Sequence, residues 1–235
     1  MIERPRLPNR WRERLPHNPY NPLSRINLAR SIADELLEAE PRSLPPDKPF
    51  AGAGVYALYY ASDQDGFKPY SRVNNFGWPF GQWVPIYVGK AAAPGSRKGG
   101  SGEEAELDYV PNTNLFSRLW EHARSLEAVN NVAPEEFRYR ALVLDQVWIG
   151  LGEALLIHSY RPLWNQVISG FGIHVPGKGR KGQRKSEWDT IHPGRNLVSK
   201  PNRESKTALK RRIDKHLDEL EATPPEGFPE VDPDD

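Results

Sequence analysis

Two tyrosine triplets, Gly54-Val55-Tyr56 and Tyr87-Val88-Gly89, each lie inside an apolar run, and Arg118, His122, Glu153 and Asn165 follow in order. Arg118 and His122 are four residues apart, so on a helix they project from one face. A guanidinium aimed at a reacting phosphate stabilises charge that grows in the transition state. His122 also falls on the apolar stripe of Leu115, Leu119, Leu126 and Val129, where a satisfied core histidine is the plainer alternative. From Gln146 to Ser159, Glu153 is the only charged side chain with His158 neutral, and Ile149, Leu156 and Ile157 are its helical neighbours. A carboxylate there is costly unless paired or bound to a cation. Each triplet alone is weak, because Tyr and Val are what strands contain, and both tyrosines could be core aromatics with bonded hydroxyls.

As an ordered set these residues resemble the GIY-YIG nuclease superfamily, with Val in place of Ile in both triplets and a long segment between them. The resemblance spans roughly Gly54 to Asn165. It implies that two strands, an Arg on a helix and a Glu on a later helix build one phosphodiesterase site. The Tyr56 and Tyr87 hydroxyls would line it, one of them as general base; the restriction-enzyme branch points to Tyr56, with Tyr87 positioning water or phosphate. A free phenol titrates near 10, so Arg118, Lys90 and a metal would have to depress it. His122 would orient the water or contact phosphate. Asn165 matches the superfamily's structural Asn, against the alternative of a turn residue after Pro162. Within this set Glu153 reads as a ligand for one hard divalent ion, Mg²⁺ or Mn²⁺, completed by water and phosphate oxygens.

Charge distribution agrees with a polyanion as partner. The net charge is +1, but Glu221 to Asp235 holds six acids and no base, leaving +7 on the first 220 residues. Gly177 to Lys215 carries thirteen Lys or Arg against four acids. Such clustering is the footprint of a nucleic-acid binder. Lys90, Lys178, Arg180, Lys181, Arg184, Lys185 and Arg195 are the candidate DNA contacts; Gly177 to Arg195 would supply groups that read guanine edges, although phosphate contact needs the same composition. The glycine-rich run Gly177 to Lys185 reads as mobile and is no P-loop, lacking the strand and the Lys-Ser/Thr pair. The absence of cysteine excludes disulfides and thiolate sites. Met1 to Arg6 shows no apolar signal region and no run approaches the ~18 apolar residues of a membrane span, so a soluble, cytoplasmic protein is expected.

The elements that must position these groups form an α+β fold. Its expected core is a three-stranded antiparallel sheet flanked by helices, with N- and C-terminal extensions. The strands are Gly54 to Tyr60, Trp83 to Gly89 and Phe137 to Leu144. Helices are expected over Ser24 to Glu40, capped by Ser24 and stopped by Pro41, over Leu115 to Val129, and over Val147 to Tyr160, which is apolar almost all round and reads as buried. Arg42 to Phe50 is a Pro-rich connection, and Glu204 to Leu220 a polar helix. At 37% hydrophobic residues and a mean hydropathy of -0.70, arms and loops should be exposed. The organisation expected is an arm and helix over 1–48, the nuclease core over 49–170, a basic DNA-binding segment over 171–203, and a helix with an acidic disordered tail over 204–235.

No second domain is long enough to hold its own core. The layout is therefore similar to the compact type II restriction endonucleases that act as homodimers on GC-rich palindromes. A dimer also follows because one site cuts one strand and a two-fold protein matches a palindrome. The expected reaction is hydrolysis of double-stranded DNA to 5′-phosphate ends, with a cognate DNA methyltransferase in the same cell. The alternatives are a structure-specific repair or mobile-element nuclease and a non-catalytic nucleic-acid-binding protein. An RNA binder would need an RRM-type aromatic motif, which is absent.

Overall fold

The computed structural model describes residues 21–62, 67–75, 84–92, 113–172, 182–195 and 197–223. The N-terminal arm, Trp83, the loop from Ser96 to Glu104, the cationic run with Lys178, Arg180 and Lys181, and the acidic tail from 224 onward lie outside the described residues. In chain order come α1 (Arg25–Glu38), β1 (Arg42–Ser43), β2 (Gly54–Tyr60), α2 (Lys68–Ser71), β3 (Tyr87–Ala91) and α3 (Asn114–Glu127). They are followed by β4 (Phe137–Val143), α4 (Gln146–Tyr160), α5 (Leu163–Gln166), α6 (Glu187–Ile191) and α7 (Lys206–Ala222).

The sheet is antiparallel with order β1-β4-β2-β3. Among the described residues it has four strands rather than the expected three. The addition is the two-residue β1, taken from the Pro-rich connection and paired to β4 as Arg42↔Tyr139 and Ser43↔Arg138. Prolines 41, 45 and 46 deny the ladder its donors on either side, so the strand stays this short. β2 lies between β3 and β4 and is buried at every position, which explains its unbroken apolar and aromatic sequence. β3 begins at Tyr87, four residues later than the sequence pattern suggests, and runs on to Ala91.

Alternation along β2 sends Val55, Ala57 and Tyr59 to one face and Tyr56, Leu58 and Tyr60 to the other. α1 and α4 cover the first face: Gly152 of α4 sits so close to Ile32 that any side chain there would overlap it. Ser24 caps α1, its hydroxyl accepting from Asn27 N–H. α4 was expected to be buried all round, yet only Ile149, Gly152, Leu156, Ser159 and Tyr160 are. As the outer layer on a sheet it can cover one stripe only, and Val147 on the opposite side is 72% exposed. No helix among the described residues is long and apolar enough to cross a membrane.

The second face carries α3 and, beyond it, the C-terminal segment. Trp188 and His192 belong to this core, both fully buried. His192 Nε2 lies 2.6 Å from the Tyr70 hydroxyl and its Nδ1 3.0 Å from Asn131 Oδ1. A neutral ring protonated at Nδ1 satisfies both partners. Burial, with Lys206 and Arg195 adding like charge, pushes the His192 pKa down to about 3. The folded ring therefore stays neutral where the unfolded one has taken up a proton, and stability falls with pH below the unfolded value. We expect a loss approaching about 1.4 kcal/mol per pH unit over roughly pH 6 to 4. Urea unfolding across that range checks it, with His192→Gln flattening the dependence.

Candidate active site

β2 and β3 pair with Tyr56 opposite Gly89 and Leu58 opposite Tyr87. The Tyr56 ring lies across Gly89, where a Cβ would overlap its hydroxyl. Only glycine leaves the phenol room to reach across β3 towards α3. There the Tyr56 hydroxyl is 2.6 Å from His122 Nε2, and both residues are buried. Tyr87 completes the group, its ring 6.2 Å from Tyr56 and 5.4 Å from His122 between centroids.

Arg118 stands one turn before His122 on α3. Its guanidinium donates to Glu121 Oε2 at 3.0 Å and to the Gly172 carbonyl at 3.0 Å. It also exerts a field on both phenols, but burial outweighs it. Desolvation, reinforced by Tyr87, holds the Tyr56 pKa well above that of a free phenol. Burial likewise raises Tyr87, with Arg118 opposing. A tyrosine acting alone as base would need nearby cations to depress its pKa; in the free protein both tyrosines are instead held neutral.

Glu153 reaches the group from the other side of β3. Val55 pairs with Lys90, which places Lys90 on the α4 face of the sheet. Its Nζ is 2.6 Å from Glu153 Oε2. Glu153 is close enough to raise the Tyr87 pKa further, so the carboxylate and the phenols share one field around β3. Among the described residues no group of three or more His, Asp or Glu side chains is placed to hold a metal ion. The chemistry of Glu153 nevertheless fits a hard divalent ion. It is a half-buried carboxylate already holding a cation, and Mg²⁺ needs only one or two carboxylates beside water and phosphate.

Asn165 braces the assembly by imitating a neighbouring strand. Its Oδ1 accepts from Val88 N–H at 2.8 Å and its Nδ2 donates to the Val88 carbonyl at 2.9 Å. Among the described residues β3 is an edge strand, and this amide satisfies the backbone N–H and carbonyl of Val88.

Three residues contribute in ways their sequence did not disclose. Phe171 stacks on His122 at 4.5 Å and 13°, fixing the plane of the imidazole. Gly172 gives Arg118 its carbonyl, and a Cβ there would lie 2.9 Å from Arg118 Nη2 and 3.0 Å from the Tyr87 hydroxyl. The Ser-Gly-Phe-Gly run at 169–172, an aromatic bracketed by glycines, was the available signal. The third is Arg195, assigned from sequence to DNA. The structure corrects this. Arg195 is buried, paired with Asp189 at 2.7 Å, bonded to the carbonyls of Phe171 and Gly170, and stacked 4.3 Å over Trp188. Arg184 remains exposed and donates to the Pro201 carbonyl, while Lys185 is half-buried and its backbone N–H meets Lys200 O.

An antiparallel sheet with two tyrosines from adjacent strands, an Arg and a His from one helix and a Glu from a later helix defines a GIY-YIG nuclease domain. The family model described as the Eco29kI GIY-YIG domain matches residues 48–217, and the chain belongs to that family of restriction endonucleases. No curated protein matches the chain.

Removing Arg195 would strand the buried Asp189 and release Gly170 and Phe171. Arg195→Ala should cost about 3–5 kcal/mol of stability, measured as a shift in the urea midpoint at unchanged m-value.

Proposed function

We propose that the chain is a type II restriction endonuclease, acting as a homodimer on a palindromic site in double-stranded DNA. The reaction is hydrolysis of the P–O3′ bond, leaving 5′-phosphate and 3′-hydroxyl ends. The observation that carries this reading is the 2.6 Å contact between the Tyr56 hydroxyl and His122 Nε2. A phenol with a raised pKa is a poor base alone. With an imidazole lone pair behind it, Tyr56 takes a proton from the attacking water while passing its own to His122. Neither a phenolate nor a bare hydroxide has to form first. His122 is thus the proton acceptor behind Tyr56 rather than a contact to phosphate, in keeping with its burial.

Arg118 faces the same phenols and carries the fixed positive charge that would stabilise the phosphorane-like transition state. Tyr87 positions water or a phosphate oxygen. Mg²⁺ or Mn²⁺ on Glu153 would supply Lewis-acid stabilisation of the phosphate oxygens. Asn165 keeps β3, and with it Tyr87 and Lys90, in register.

Lys178, Arg180, Lys181, Arg184 and Lys185 are proposed to bind DNA, the charge density of the segment supporting a phosphate role. Two-fold symmetry supplies a second site for the second strand. Such an activity implies a cognate methyltransferase protecting host DNA.

Glu153→Gln and Tyr56→Phe test the assignment. Each should leave DNA binding within a factor of a few and lower cleavage by about 10²–10⁴, the range for losing a general base or comparable group. Electrophoretic mobility shift and single-turnover cleavage read the two effects separately. Unchanged cleavage in either variant would remove that residue from the chemistry.

A further inference from the structure

The contact between Lys90 and Glu153 places an ammonium on the carboxylate assigned to the metal. Lys90 Nζ stands 2.6 Å from Glu153 Oε2, a charge-assisted hydrogen bond at short range. The Lys90 side chain is 46% exposed and that of Glu153 21%. A pair this open to solvent contributes little to folding. Its effect falls instead on whatever else Glu153 can bind. A divalent ion cannot share the same oxygen lone pair with the ammonium. An ion entering on Oε1 would still lie well within a Debye length, about 8 Å, of a fixed positive charge. Nothing similar guards the carboxylate from its own helix, because Gln146–Tyr160 has no other acidic or basic residue apart from His158.

Resting on the nuclease reading above, we infer that Lys90 is an internal competitor for the metal site. In the free protein its ammonium holds Glu153 and weakens ion binding. It leaves the carboxylate when a DNA phosphate offers a second anion, and the ion enters with the substrate. Lys90 lies on β3 three residues after Tyr87 and faces α4, so a side-chain rotation suffices and the strand need not move. Metal loading is thereby coupled to DNA binding: a group that must be displaced by one ligand favours the other.

The test is Mn²⁺ binding to the full-length, DNA-free protein, followed by the electron paramagnetic resonance signal of free Mn²⁺. Lys90→Met should raise affinity over wild type by roughly two- to fivefold, as expected for removing a partly exposed ion pair. Lys90→Arg, which keeps the charge, should stay as weak as wild type. The double variant Lys90→Met/Glu153→Gln should lose the gain, locating it at this carboxylate. Equal or weaker Mn²⁺ binding by Lys90→Met overturns the inference, as does a gain that survives in the double variant. If Mn²⁺ supports cleavage by wild type and Lys90→Met gains no affinity, the competitor role fails and the nuclease reading stands. If no divalent ion binds and none supports cleavage, the metal-dependent reading itself falls and the competitor role with it.

Discussion

The hydrogen bond between Tyr56 and His122 is the interaction on which the rest of this structure converges. Two polar side chains, one from the central strand and one from α3, meet in a buried interface where neither can turn to water. A buried hydroxyl or imidazole without a partner costs free energy, so each fixes the other. The register of β2 against β3, the glycine at 89 and the position of α3 all follow from seating this pair. Its burial also raises the Tyr56 pKa, which in the proposed reaction makes the imidazole a required second step for the proton.

The C-terminal third of the described chain acts on this pair at one remove. Arg195 ties Asp189 and Trp188 to the carbonyls of Gly170 and Phe171. Phe171 lies on His122, and Gly172 receives Arg118. α7 adds Leu209, Ile213, Leu217 and Leu220 to the same core and docks through Arg212 onto Glu187 and the Val167 carbonyl. Residues rich in basic side chains thus serve two purposes. Some hold the loop beneath the imidazole, while Arg184 stays at the surface, where the proposed function gives it DNA.

Much of this was legible in the sequence, for physical reasons that differ by element. β2 was readable residue for residue because a central strand, buried on both faces, leaves a continuous apolar and aromatic run between turn signals. α1 was readable from its Ser24 cap and Pro41 stop. β3 was displaced because Val84 to Ile86 is as apolar as the strand itself, and the sheet ladder, not hydropathy, sets where pairing begins. α4 misled because composition reports how apolar a helix is and not which side another layer covers. The order of Tyr56, Tyr87, Arg118, His122, Glu153 and Asn165 pointed to one site. Their partners stayed hidden, since Lys90 with Glu153 and Arg195 with Asp189 differ only by which anion folding brings near. A count of charges cannot separate an arginine facing phosphate from one buried over a tryptophan.

Cleavage of intact DNA bears most directly on the central claim. Purified protein would be incubated with unmethylated phage DNA in Mg²⁺ and in EDTA, and the products resolved and end-labelled. Discrete fragments in Mg²⁺ alone, bearing 5′-phosphates and mapping to one palindromic sequence, are the expected result. Intact DNA across several unmodified substrates, or nicking confined to branched or lesioned structures, would contradict it.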